Sequence, residues 1–195
     1  MKKYIKWGVI IALVVILISF FAGTYNSLID KRTSAEQSWS NVESQFQRRA
    51  DLIPNLVATV KGYASHEQLT FIQVIEQRAK ATQPTIKFDD LNDQTLAKYQ
   101  AAQNEVGASL GRLMAIGESY PDLKASTNFI NLQDELAGTE NRVNKARIDF
   151  NTSIKNYNVY LQKFPRNIVA SMFGFTQKSF FEADAGSEKA PDVKF

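Results

Sequence analysis

His66-Glu67 is the pair whose residue types most readily suggest chemistry, and His66 is the single histidine of the 195-residue chain. A zinc hydrolase of the His-Glu-x-x-His kind needs two imidazoles one turn apart with the glutamate as base. Position 70 is Thr, so that site is incomplete. A carboxylate-bridged di-iron protein needs Glu-x-x-His on each of two helices. Position 63 is Tyr, and no second histidine exists. Metal sites require clustered ligands, so His66-Glu67 is expected to be solvated or hydrogen-bonded to a neighbour. Cysteine is absent, which removes thiolate chemistry and disulfides and leaves the redox compartment open. Gly-x-Ser-x-Gly, a phosphate loop and a dinucleotide fingerprint are also missing. Glu135 and Glu140 read as ordinary acids on a helix face. The sequence therefore assigns no catalytic, metal or cofactor-binding residue and implies no cofactor.

Two further groups are candidates for contact rather than catalysis. Arg48, Arg49 and Asp51, with Asp122 and Lys124, are charged residues in turn-rich stretches. Helix capping and the helix dipole account for such residues structurally. The sharper reading makes them a partner surface. Gly107-x-x-x-Gly111 falls inside a helical pattern, where each glycine costs about 1 kcal/mol against alanine. Close helix approach would offset that cost, and so would a self-association face that makes a homo-oligomer.

The elements that must position these residues begin with a membrane signal. Trp7 to Ile29 carries no charge and is dense in Val, Ile, Leu and Phe. As a helix, those residues rise roughly 35 Å, enough for a hydrocarbon core of about 30 Å. Tyr4, Trp7 and Tyr25 stand near its ends, where amphipathic rings prefer the interface. A cleaved signal peptide is the alternative, but the Phe20-Phe21-Ala22-Gly23 exit lacks the small-x-small pattern. Lys2, Lys3 and Lys6 precede the run against Lys31 and Arg32 beyond it, which favours an N-terminus in the cytoplasm. The net charge of +3 resides in those three lysines, since the remaining 20 basic and 20 acidic residues cancel. The body is neutral, and no basic patch points to nucleic acid.

Beyond the anchor the pattern is helical throughout. Tyr25, Leu28, Arg32, Ala35, Trp39, Val42 and Phe46 recur at three- or four-residue spacing, as do Leu56, Val60, Tyr63, Phe71 and Val74. Pro54 costs a straight helix about 3 kcal/mol. Asp51 and Pro54 suit a helix start and Arg48-Arg49 a helix end, so the spacing predicts a reversal at residues 50–54. Leu96, Tyr99, Gln103, Val106, Leu110 and Leu113 form a third stripe, after capping residues at 89–93. Phe129, Leu132, Leu136, Val143, Phe150, Ile154, Tyr157, Leu161 and Phe164 form a fourth, closed by Pro165. Residues 164–195 hold six phenylalanines, too aromatic for a disordered segment, so the part to Phe181 is expected to fold back.

The Arg48-Arg49-x-Asp51-Leu52-Ile53-Pro54-Asn55-Leu56 core resembles the LemA family, as do the Val60-Lys61-x-Tyr63 and His66-Glu67 that follow. Glu118-x-Tyr120-Pro121-Asp122-Leu123-Lys124-Ala125 and Arg147-x-x-Phe150-Asn151 extend the likeness over residues 25 to about 181. Many members have Tyr where this chain has Phe150. The resemblance implies a membrane anchor and an up-and-down bundle, and the family's biochemical role is poorly defined.

The expectation is an all-α protein with an N-terminal transmembrane helix and an antiparallel up-and-down four-helix bundle. Residues 1–23 would be the lysine flank and anchor, 24–181 the bundle with its packed C-terminal segment, and 182–195 a flexible tail. The expected site is a bacterial cytoplasmic (inner) membrane, bundle outside. The expected role is a non-enzymatic adaptor or scaffold for another envelope protein; the alternatives are an accessory subunit of a membrane enzyme complex or, behind that, a weak enzyme. The expected partners are the lipid bilayer and an envelope protein, without nucleic acid.

Overall fold

The computed structural model describes residues 2–83 and 86–182, with side chains from residue 4 onward. Of the expected tail, 182–195, all but Glu182 lies outside them, and the Glu182 carbonyl accepts hydrogen bonds from Gln100 and Arg147. Six α-helices and one 3-10 turn make up the described chain, and no strand occurs among these residues. The helices are α1 (Lys2–Tyr63), α2 (Gln68–Thr82), α3 (Asp93–Ser119), α4 (Pro121–Lys124), α5 (Thr127–Gln162) and α6 (Arg166–Met172). The 3-10 turn, Phe88–Asp90, lies between α2 and α3.

The first helix runs through Pro54 without reversing, which corrects the break expected at 50–54. Proline has no N–H, so the carbonyl of residue 50 loses its helical donor. Arg78 of α2 supplies the replacement: its Nε donates to the Ala50 carbonyl oxygen at 2.9 Å. A hydrogen bond from a charged group contributes about 1.5–3 kcal/mol, the same scale as the proline penalty. The Pro54 ring itself faces solvent. Reversal comes at residues 64–67 instead, where Glu67 N–H bonds the Ala64 carbonyl at 3.1 Å. The second helical stretch, expected from residue 52, is thus the end of α1 followed by α2.

From that turn α2 runs back along α1, and α3 returns along α2. The long α5 then runs antiparallel to α1: Glu140 meets Arg49, and Ser153 meets Ser38. The third stripe is buried throughout. A capping box begins α3, with the Asn92 side chain accepting from the Thr95 N–H and the Thr95 hydroxyl accepting from the Asn92 N–H.

Three apolar clusters fill the interior. The far one joins Ile53, Leu56, Val60, Phe71, Val106 and Leu123 with their neighbours. The middle one gathers Trp39, Phe46, Tyr99, Phe150 and Phe181, with Trp39 5.5 Å from Phe150 between ring centres. The third lies beside the end of the charge-free run and joins Leu28, Tyr157, Leu161, Val169 and Ala170. The C-terminal segment does fold back. Asn158 bonds the backbone of Lys178 in both directions, and Asn151 does the same for Phe181. Phe164, expected in the α5 stripe, is 80% exposed because the helix ends two residues before it.

Among the described residues one helix, α1, is long and apolar enough to cross a membrane, and none of its most apolar window is buried.

Candidate functional site

The described residues hold no group of three or more His, Cys, Asp or Glu side chains able to bind a metal ion. His66 is exposed in the 64–67 turn, and Glu67 accepts a hydrogen bond from the Tyr120 hydroxyl at 3.3 Å. The polar feature that the fold builds with most care lies lower, at Arg49.

Arg49 is 4% exposed. Its Nη1 donates to Glu140 Oε1 at 3.0 Å, and Nη2 donates to the Gln103 carbonyl at 2.7 Å and to Gln103 Oε1 at 2.9 Å. The guanidinium also stands over the Phe46 ring, 5.0 Å from its centre. Three helices are fastened to one cation. A buried charge is tolerated only when paired and hydrogen-bonded; here the Glu140 carboxylate pairs with it, and the main-chain and side-chain oxygens of Gln103 accept from it. Gln103 passes the connection on by donating from Nε2 to the Ala81 carbonyl at the end of α2.

A cleft lies beside this layer between α1, α3 and the end of α2, lined by Glu43, Phe46, Asp51, Ala81, Tyr99 and Gln103 among others. Burial pushes the Glu43 carboxyl above the ordinary carboxylate range. Burial, with Glu43 adding to it, raises the Tyr99 phenol as well. Both groups are therefore held toward their protonated forms. Neither is paired with a nucleophile or a base in a relay.

The five charged residues picked out as a partner surface separate. Arg48 pairs with Glu135 at 2.8 Å on the outside of α1 and α5, and the Arg48 hydrogen bond lowers the Glu135 carboxyl. Arg49 is buried and committed to Glu140 and Gln103, which removes it from the surface. Asp51 accepts from Gln47 Nε2 at 2.8 Å and faces Arg78 at 3.8 Å. Asp122 and Lys124 sit on α4, at the end with the 64–67 turn, where Lys124 pairs with Glu118. Because α1 does not reverse at Pro54, about 20 Å of helix separates Asp51 from the turn at Ala64. Gly107 faces Arg49: an added Cβ would stand 3.7 Å from Nη1. Gly111 meets open space, so no neighbouring helix among the described residues accounts for it.

Sequence reasoning did not find Arg78, Gln103 or Glu140 as partners of the motif. One clue was available. A proline inside a helical stripe leaves the carbonyl four residues earlier in need of a donor, and that argument leads to a residue such as Arg78.

The fold is a helical body held by an arginine layer and continuous with an apolar helix of anchor length. The LemA family model matches residues 38–195, and the chain belongs to the LemA family. It is similar to magnetosome protein MamQ of Magnetospirillum gryphiswaldense, 29% identical over 180 residues, 83% of this chain and 66% of that one. Magnetosome protein MamQ 2 of Paramagnetospirillum magneticum is 27% identical over 186 residues, 87% of this chain and 68% of that one. Protein LemA of Metamycoplasma hominis is 22% identical over 163 residues, 84% of this chain and 71% of that one. The chain thus spans about two thirds of the length of the MamQ proteins it matches.

Proposed function

We propose that the chain is a single-pass bacterial inner-membrane protein whose helical body acts as a non-enzymatic adaptor or scaffold for another envelope protein. Its N-terminus lies in the cytoplasm, and α1, α2, α3 and α5 form an up-and-down four-helix bundle outside. The observation that carries this reading is the unbroken course of α1 from the charge-free run to Tyr63. A helix shared by anchor and body sets the body's height above the bilayer and ties its direction to the tilt of the anchor, which suits a protein that positions others. Leu69, Ile72 and Ile75 of α2 are 78%, 52% and 52% exposed, apolar side chains on the flank of the body. That supports protein contact over catalysis. The name shared by the MamQ relatives, magnetosome protein, specifies no reaction, and the adaptor reading is compatible with it.

A reporter fused after Phe195 tests the orientation: it should be active only in the form that works after export. Strong cytoplasmic activity there would overturn the orientation. A photoreactive residue at Ile72 should crosslink to one envelope protein in the intact membrane, and Ile72→Asp should abolish co-purification of that protein. A turnover that requires Glu43 or Tyr99 while the fold is intact would overturn the non-enzymatic reading.

A further inference from the structure

The short α6 is apolar on more than one side. Val169 and Ala170 are buried against α1 and α5, as a packed helix requires. Yet Ile168 and Met172, four residues apart on another face, are 48% and 66% exposed, and Phe164 and Phe173 at its two ends are 80% and 55% exposed. Asn167 and Ser171 make one edge of the helix polar, so α6 has two apolar faces, one packed on the protein and one exposed. An exposed apolar face of this kind marks a contact with protein or membrane.

Its height relative to α1 decides the matter. The cluster that seats α6 contains Leu28, with Phe21 packed on its edge. Tyr25 lies 4.8 Å from Phe173 and 5.9 Å from Phe175 between ring centres. These α1 residues are the last two turns of the charge-free run, where a membrane-crossing helix leaves the hydrocarbon for the headgroups. The turn after α6 holds the arrangement. Gly174 has φ +73°, a left-handed conformation that side chains resist, and the Phe175 N–H bonds back to the Ala170 carbonyl at 3.0 Å. Phe175 is thereby returned toward α1 while Phe173 stays outside. Between Phe173 and the Leu17, Ile18, Phe21 and Tyr25 face of α1 runs an apolar groove that continues into the span. Charge agrees with height: from residue 150 to 181 the chain carries lysines and an arginine but no acid, with Lys163 and Arg166 bracketing the start of α6.

We propose that the Phe164–Phe175 segment is a second membrane contact, lying in the interface of the leaflet from which α1 emerges. Phe164, Ile168, Met172 and Phe173 enter the acyl boundary, an acyl chain occupies the groove beside Phe173, and Lys163 and Arg166 meet anionic headgroups. The proposal rests on the anchor reading of α1, and its test separates the two.

The chain has no cysteine, so single-cysteine variants of the full protein can carry an environment-sensitive fluorophore. Four are reconstituted in vesicles of phosphatidylcholine and phosphatidylglycerol containing nitroxide-labelled lipid: Val14→Cys, Ile168→Cys, Met172→Cys and Asn55→Cys. The expected result is deep quenching for the Val14 probe, and a blue shift with shallow quenching for the Ile168 and Met172 probes. The Asn55 probe should show water-like emission without quenching. Water-like emission at 168 and 172 with Val14 still quenched overturns the second contact and leaves the anchor standing. Loss of quenching at Val14 overturns both. A blue shift at 172 that lipid nitroxide does not quench means that protein, such as a second copy, covers α6, and this too overturns the proposal.

Discussion

The arginine layer around Arg49 and the base around α6 resolve opposite mismatches. In the layer, a cation is buried in an apolar interior, and three helices each give it a partner. At the base, Phe164, Ile168, Met172 and Phe173 stand largely exposed among the described residues, with only Phe173 reaching a ring of α1. The first mismatch is resolved within the fold, so its cost of disruption should appear as lost stability. The second is left open by the described residues and, on the proposal above, is met by lipid, so its disruption should leave the fold alone and change how the protein sits in the bilayer. A buried polar group and an exposed apolar one both break the usual partition, but only the former is explained by the chain itself.

The largest expected effect is at the layer. Arg49→Ala strands Gln103 and the inner part of Glu140 and should cost about 3 kcal/mol, at the low end for a broken buried pair because Glu140 reaches solvent. Urea unfolding of the full chain in micelles measures it. A loss below about 0.5 kcal/mol, the usual range for surface changes, would erase the contrast with the base. Next is the latch at Pro54. Arg78→Ala should cost about 2 kcal/mol by leaving the Ala50 carbonyl unbonded. In a Pro54→Ala background, residue 54 regains its N–H, and the same change should cost much less. A double-mutant cycle with no coupling would show that Arg78 has nothing to do with the proline.

A smaller effect is expected from Glu43, with a pH signature. Its folded carboxyl titrates above the ordinary glutamate range because of burial, so the native state holds the proton to higher pH than the unfolded chain. Stability therefore falls as pH rises through the ordinary glutamate range toward the raised folded value, and the penalty is full above it. Glu43→Gln should flatten that fall and leave the protein slightly more stable at pH 7. An unchanged pH–stability slope would refute the assignment. The smallest effect belongs to the base, where Met172→Ser should change stability by less than about 0.5 kcal/mol. A loss of 2 kcal/mol, comparable with the latch, would mean that α6 is core after all.

Much of the architecture could be read from residue spacing. The stripes of α3 and α5, the Asn92 start signal and the return of the chain to Phe181 all follow from local periodicity and aromatic content. The unbroken course of α1 through Pro54 does not follow from spacing, because a distant donor offsets proline's local penalty. Arg78 lies 28 residues away, and nothing in the spacing pairs it with Ala50. The same limit hid the arginine layer. Arg49 looked like an end-of-helix cation, and only the packing of α3 and α5 shows that it is enclosed. Phe164 looked like the last residue of a heptad stripe, although its helix stops short of it.

The unbroken α1 has a mechanical meaning. Between Ile29 and Pro54 it rises about 38 Å with no joint, so it works as a lever whose short arm is immersed in lipid. Membrane helices commonly lean by about 20° to match bilayer thickness, and such a lean would sweep the Pro54 level sideways by about 13 Å. Thickening or thinning of the host membrane would then steer where the body points.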